Sequence, residues 1–153
     1  ESKEEETRSS SMLRVLVSLE GKINGRGLDV ETDLPDGPVM VWGDPDAITQ
    51  VCYNLLDNAI KFATAGTALR LAIQVKGEKA HVSVANLGET IPPQELSQIF
   101  DRFHKADRSR SEDRDGVGLG LYIVKTILNN HKETITATSE EGLTTFTFTL
   151  TIA

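Results

Sequence analysis

The stretch from Gly43 to Phe62 constrains the fold more than any other part of the chain. Gly43-Asp44-Pro45-Asp46 is a strong helix start. Asp44 can cap, Pro45 suits a first helical position that needs no N–H, and Asp46 complements the positive end of the dipole. Beyond it Ile48, Val51, Cys52, Leu55, Ala59 and Phe62 recur at helical spacing, which predicts a helix to about Phe62 with one buried side. Such a helix needs a second layer to lie on. Strands supply it. Leu69 to Val75 and His81 to Ala85 alternate apolar and polar residues, joined across Lys76-Gly77-Glu78-Lys79 as a hairpin. Thr134 to Thr138 and Thr144 to Ile152 are β-rich, with Phe146, Phe148 and Leu150 alternating with threonines.

The remaining segments fill in around this pair of layers. Met12, Leu13, Val15, Leu16 and Leu19 mark an amphipathic helix that Gly21 closes, and Leu28–Val30 and Pro38–Trp42 read as short strands. A short helix follows Pro92-Pro93, carrying Leu96, Ile99, Phe100 and Phe103. Residues 104–115 are almost devoid of apolar side chains and read as a long loop. A second long helix starts near Gly118, with Leu119, Ile123 and Ile127 on one stripe and Leu121, Val124 and Leu128 beside it. The order predicts an α+β two-layer sandwich, a mixed, mostly antiparallel sheet packed against helices, over a doubly wound parallel sheet.

With 153 residues, the chain is expected to hold one domain over 10–153 behind a disordered or added tail at 1–9. A net charge of −7 argues against nucleic acid as a partner. Cys52 sits among apolar neighbours and reads as a buried small hydrophobe. The sequence has no apolar run of the length, roughly 18 residues or more, that a membrane-spanning helix needs, and no signal peptide is visible.

Three polar segments carry possible chemistry. On the long helix Gln50, Asn54, Asn58 and Lys61 fall within roughly an 80° arc. Asparagine is a poor helix former, so this is either an ordinary wet face or a face selected for amide oxygens, which suit Mg²⁺ shared with phosphates. The run Gly116-Val117-Gly118-Leu119-Gly120-Leu121 leads into the second helix. It is either a flexible hinge or a phosphate-facing helix start. Asn86-Leu87-Gly88-Glu89-Thr90-Ile91-Pro92 closes a strand, either as a plain turn or as an amide that reads a base edge.

In this order and spacing, the segments resemble the catalytic ATP-binding domain of sensor histidine kinases, one branch of the GHKL ATPases that also include gyrase, the ninety-kilodalton heat-shock chaperone and mismatch-repair proteins. Tyr53–Phe62 is similar to that family's N box, Asn86–Pro92 to its first glycine box, Ile99–Asp107 to its F box and Gly116–Lys125 to its second glycine box. The resemblance implies ATP and Mg²⁺ as cofactors. It makes Asn58 the main magnesium ligand with Asn54 assisting, and puts Lys61 on phosphate. Gly116, Gly118, Leu119, Gly120 and Leu121 would shape the lid hinge and the phosphate-facing amides. Phe100 and Phe103 would tie the lid to the core, with Lys105 or Arg102 facing the γ-phosphate. Phe62, Asn86, Gly88, Ile91 and Thr144 would surround the nucleotide toward its adenine end.

The same resemblance implies transfer of the γ-phosphoryl group to a histidine on a separate dimerisation domain, and from there to a response regulator. The whole protein would be a homodimeric, membrane-anchored bacterial sensor with this part in the cytoplasm, a monomer as this piece. None of His81, His104 and His131 has the context of the acceptor. Three departures stand out. Asn86 replaces a usual aspartate, an expected loss of about 1 kcal/mol, near fivefold in affinity. Thr90 replaces a glycine and must avoid positive φ or carry strain. Glu141–Phe146 is one residue short of the usual third glycine box and keeps Gly142 alone, and Lys132 stands where glycine often follows the histidine. The rival reading is a degenerate, nucleotide-free interaction module. A chaperone-like conformational switch would need a glutamate early in the N box, where Gln50 and Asn54 stand instead.

Overall fold

The computed structural model describes residues 4–101 and 119–153. Arg102, Phe103, His104, Lys105, Gly116 and Gly118 lie outside the described residues, as do the side chains of residues 4–11 and 13. The elements in order are β1 (Glu4–Thr7), α1 (Arg8–Ser18), α2 (Glu20–Gly25), β2 (Asp29–Asp33), β3 (Met40–Gly43), α3 (Pro45–Phe62), β4 (Ala68–Lys76), β5 (Lys79–Leu87), α4 (Pro93–Leu96), α5 (Gly120–Asn130), β6 (Ile135–Glu140) and β7 (Leu143–Thr151). A five-stranded sheet runs β2-β4-β5-β7-β6, with β2–β4 parallel and the other pairs antiparallel. This is the expected mixed, mostly antiparallel α+β sheet.

The helix start at Asp44 forms as its residues dictate. Asp44 caps α3 by accepting from the Asp46 N–H at 3.1 Å, with Pro45 as the first helical residue. Ile48, Val51, Cys52, Leu55, Leu56, Ala59 and Ile60 are buried against the sheet, so the covered face is wider than the predicted stripe. Phe62 is only half-buried, at the end of the helix. The opposing layer is the alternating row Ala80, Val82, Val84 of β5 and Phe146, Phe148, Leu150 of β7, all buried on one face.

Two expectations about the N-terminal part are corrected. Residues 4–7, taken as tail, form β1 and pair antiparallel with β3, Glu5 opposite Trp42. Backbone ladder bonds do not require apolar side chains, so a charged segment can pair at an edge. Gly21 does not close the first helix. It lies inside α2, where Ile23 carries the apolar stripe of Met12, Val15 and Leu19 one turn further. The stop is Gly27, at φ +66, with Leu28 N–H donating to Ile23 O and Gly27 N–H to Asn24 O. That six-to-one and five-to-two pair is a Schellman ending.

Helix α5 ends in the same motif without the glycine. Glu133 N–H donates to Leu128 O at 2.8 Å and Lys132 N–H to Asn129 O at 3.0 Å, and Lys132 is held at φ +60. A left-handed residue with a Cβ is strained by roughly 1–2 kcal/mol, while glycine costs some unfolded-state entropy. Lys132→Gly is therefore expected to gain about 0.5–1 kcal/mol, seen as a melting temperature higher by about 2 °C. Just beyond, the buried Glu133 carboxylate accepts from Lys79 Nζ and from the Thr149 and Thr151 hydroxyls, each at 2.7 Å, fastening this turn to β5 and β7.

Candidate functional site

Two side-chain bonds fix how α3 and α5 lie against each other. At one end the His131 ring joins them. Its Nδ1 faces the Ile127 carbonyl at 2.9 Å, an acceptor, so that nitrogen carries the hydrogen. Its Nε2 then accepts from the Asp44 N–H at 3.2 Å. In the middle of α3, Asn54 Nδ2 donates to the Gly120 carbonyl oxygen at 3.3 Å. The C-terminus of α5 thus meets the N-terminus of α3, and the first residue of α5 lies level with Asn54. The helices are antiparallel.

That register has a chemical consequence. Asn58 lies one turn, about 6 Å, beyond Asn54 along α3. It therefore projects past the start of α5, the side toward which the first N–H groups of α5 and its positive dipole end face. No side chain among the described residues caps that start. Asn58 is half-buried and its amide makes no hydrogen bond among the described residues. Asn54 spends its N–H on Gly120 and keeps its oxygen. Lys61 follows in the last turn of α3, half-buried. The bond from Asn54 to Gly120 thus joins the N-box face of α3 to the described end of the second glycine box.

The other half of the site lies at the ends of β5 and β7. Asn86 is directly opposite Thr144, which is opposite Ser139 on β6. These residues form a polar row across an otherwise apolar face, and Asn86 and Thr144 are each 4% exposed. Ser139 Oγ accepts from the Ile91 N–H at 2.8 Å and lies 2.7 Å from Thr144 Oγ1. If Ser139 gives its hydrogen to Thr144, the Thr144 hydroxyl hydrogen remains for another partner. The Asn86 amide has no hydrogen-bond partner among the described residues. A buried amide left this way costs roughly 1–3 kcal/mol, which a ligand would recover.

Gly88 and Gly142 draw this end closed. Gly88 N–H donates to Gly142 O at 2.7 Å, Ala63 and Gly88 form a bridge, and a Cβ at Gly88 would run into the Phe62 carbonyl oxygen. Gly142 sits at φ +86 in the β6–β7 turn, with a Cβ only 3.1 Å from Gly88 O. Thr90 avoids positive φ, and its hydroxyl accepts from the Gly142 N–H at 2.7 Å. The shortened third box is thus a tight turn docked on the first. Phe100 lies edge-on to Phe146 with ring centroids 5.9 Å apart and with Lys125 Nζ 5.7 Å above its ring. Leu121 packs against the core rather than the open side. Arg102, Phe103, Lys105, Gly116 and Gly118 lie outside the described residues.

Sequence reasoning missed Ser139, Lys125 and the bonding role of Thr90. Ser139 carried no motif and becomes visible through strand register alone.

No group of three His, Cys, Asp or Glu side chains among the described residues could hold a metal by itself. The donors present at α3 are neutral amide oxygens, which fit a hard cation that shares its shell with phosphates and water. Residues 43–153 match the model of the histidine kinase-, DNA gyrase B- and HSP90-like ATPases.

The chain belongs to that family.

Its ATPase-family match covers α3 through β7, the part that holds every site residue named above. Among its relatives are the sensor histidine kinase WalK of Bacillus subtilis (strain 168), 40% identical over 77% of this chain, and the sensor histidine kinase CusS of Escherichia coli (strain K12), 38% identical over 72%. The chain spans only 20% and 23% of the length of these two curated relatives. The catalytic domain of histidine kinase ThkA superposes with a TM-score of 0.87 at 26% identity, covering 99% of this chain and 96% of that one. ThkA in complex with the response regulator protein TrrA gives 0.84 at 25% identity, over 99% of this chain and 42% of that one.

Proposed function

We propose that this chain is the ATP-binding, phosphoryl-donating part of a two-component sensor histidine kinase. The observation that carries this is the antiparallel α3–α5 register, in which Asn58 lies one turn beyond Asn54, itself bonded to the first residue of α5. The α5 N–H groups and dipole bind phosphate oxygens, Lys61 adds positive charge, and the Asn54 and Asn58 oxygens hold the metal. Mg²⁺, when bound, neutralises the phosphates and bridges their oxygens. Asn86 and Thr144 take the base, Phe100 and Phe103 tie the lid to the core, and Lys105 or Arg102 faces the γ-phosphate. The chain's work is positioning and charge neutralisation, as in phosphoryl transfer generally.

The acceptor histidine belongs to a separate helical dimerisation domain. His131 has both ring nitrogens engaged by backbone. His81 alternates with Ala80 and Val82, so it lies on the sheet face opposite α3 and the site. The response regulator receives the phosphoryl group afterwards, as the relative crystallised with such a partner suggests. No helix among the described residues is long and apolar enough to cross a membrane. The anchor and sensing parts of the homodimeric whole protein lie in the remaining length that its relatives have, with this part in the cytoplasm. The nucleotide-free module is disfavoured by the buried Asn86 amide, which has no hydrogen-bond partner among the described residues.

The test supplies a separately made histidine-containing helical domain with γ-labelled ATP and Mg²⁺. Label is expected on that domain only when this chain is present. Nucleotide binding without any transfer to such domains would sink the kinase assignment.

A further inference from the structure

We propose that the base end of this site accepts 6-oxopurine nucleotides nearly as well as 6-aminopurine ones, with Asn86 as the residue that permits it. The proposal rests on the nucleotide reading above and goes beyond it to base selectivity.

Asn86 alternates with Ala80, Val82 and Val84, so its side chain lies on the face of β5 that meets the helices, where 4% of the residue is exposed. Its Nδ2 lies close to Gly88, 3.5 Å from where a Cβ there would stand. No backbone or side-chain group among the described residues bonds the amide. That freedom decides the chemistry. An amide presents an acceptor oxygen and a two-hydrogen donor side by side. Against a 6-aminopurine, Oδ1 accepts from the exocyclic amine while Nδ2 donates to ring N1. Turned by 180° about its last torsion, the same amide donates from Nδ2 to a 6-oxo oxygen and accepts the N1–H at Oδ1. Had a protein N–H held Oδ1, only one orientation would be available.

The neighbours do not choose between the two. The Ser139–Thr144 pair offers a hydroxyl, itself donor or acceptor, and Gly88 offers no side chain. Ala63, Ile91 and Phe62 add apolar or half-buried surface with no fixed charge. A site built to bond one polar group rejects analogues by roughly 10⁴–10⁵ because its own groups are left unpaired. A freely turning amide leaves nothing unpaired with either base.

The test is calorimetric titration of the chain with Mg-ATP and with Mg-inosine triphosphate, which differs from ATP at the six position and the N1 proton. Dissociation constants within about tenfold of each other are expected for the unmodified chain. Asn86→Leu, of similar size and without either polar group, is expected to weaken both nucleotides by a similar factor of about tenfold or more, because the two bonds to either base are then lost. ATP binding with inosine triphosphate more than about 100-fold weaker on the unmodified chain would overturn the proposal and leave the nucleotide reading standing. Failure of both nucleotides to bind overturns both. Unchanged binding of both nucleotides to Asn86→Leu removes Asn86 from the role. The comparison on the unmodified chain decides the matter even where the variant does not fold.

Discussion

Asn58→Ala is expected to remove the magnesium dependence of nucleotide binding without weakening the fold. The Asn58 amide makes no protein hydrogen bond among the described residues, so its removal leaves no orphaned partner. Alanine is also the better helix former, and the position is mid-helix in α3. Thermal unfolding should therefore be unchanged or slightly raised. Binding should suffer. Even residues that act on a metal indirectly are worth about 10–100-fold in its affinity, and a direct ligand at least as much. Titration of the variant with an ATP analogue should give one weak constant, the same with Mg²⁺ and with chelator. A variant that binds Mg-nucleotide as tightly as the unmodified chain means the metal face has been misplaced on α3.

Gly88→Ala should produce the largest loss of stability of any single methyl added at the site. The obstacle is the Phe62 carbonyl oxygen, a backbone atom at the end of α3 that no rotamer change can move. Relief would require parting β5 from α3 and breaking the 2.7 Å bond from Gly88 N–H to Gly142 O and the 2.8 Å bond from Thr64 N–H to Leu87 O. Overpacking costs about 1–3 kcal/mol when side chains can yield, and a backbone obstacle belongs at the upper end. About 3 kcal/mol lowers the melting temperature of a chain this size by about 6–12 °C. Gly120→Ala is the control, since no described residue lies within 4 Å of a Cβ there. Equal melting of the two variants would contradict the close approach at Gly88.

The elements with their own local signals were legible. Asp44-Pro45 started α3 where capping chemistry says it should, and the Lys76–Lys79 turn joined β4 to β5, with Gly77 at φ +62. What could not be read depended on distant partners. Gly21 read as the helix stop in sequence, and Gly27 is the stop in the structure. The choice falls on Gly27 because Ile23 still has core to bury against. Residues 4–7 offered no apolar pattern, and β1 exists through the backbone of β3. In the site, the asparagine face and the glycine-rich helix start were both visible, but their register was not. It is set by His131 reaching the backbone of Asp44 and by Asn54 reaching Gly120. Ser139 entered only through the pairing of β6 with β7.

The claim on which the rest depends is that α3 and the start of α5 together grip a metal-bound triphosphate. Its most direct measurement is calorimetric titration of the unmodified chain with a non-hydrolysable ATP analogue, in Mg²⁺ and again in chelator. We expect a single site whose affinity falls at least about tenfold when the metal is removed. Binding that is indifferent to Mg²⁺, or absent in both, would contradict it.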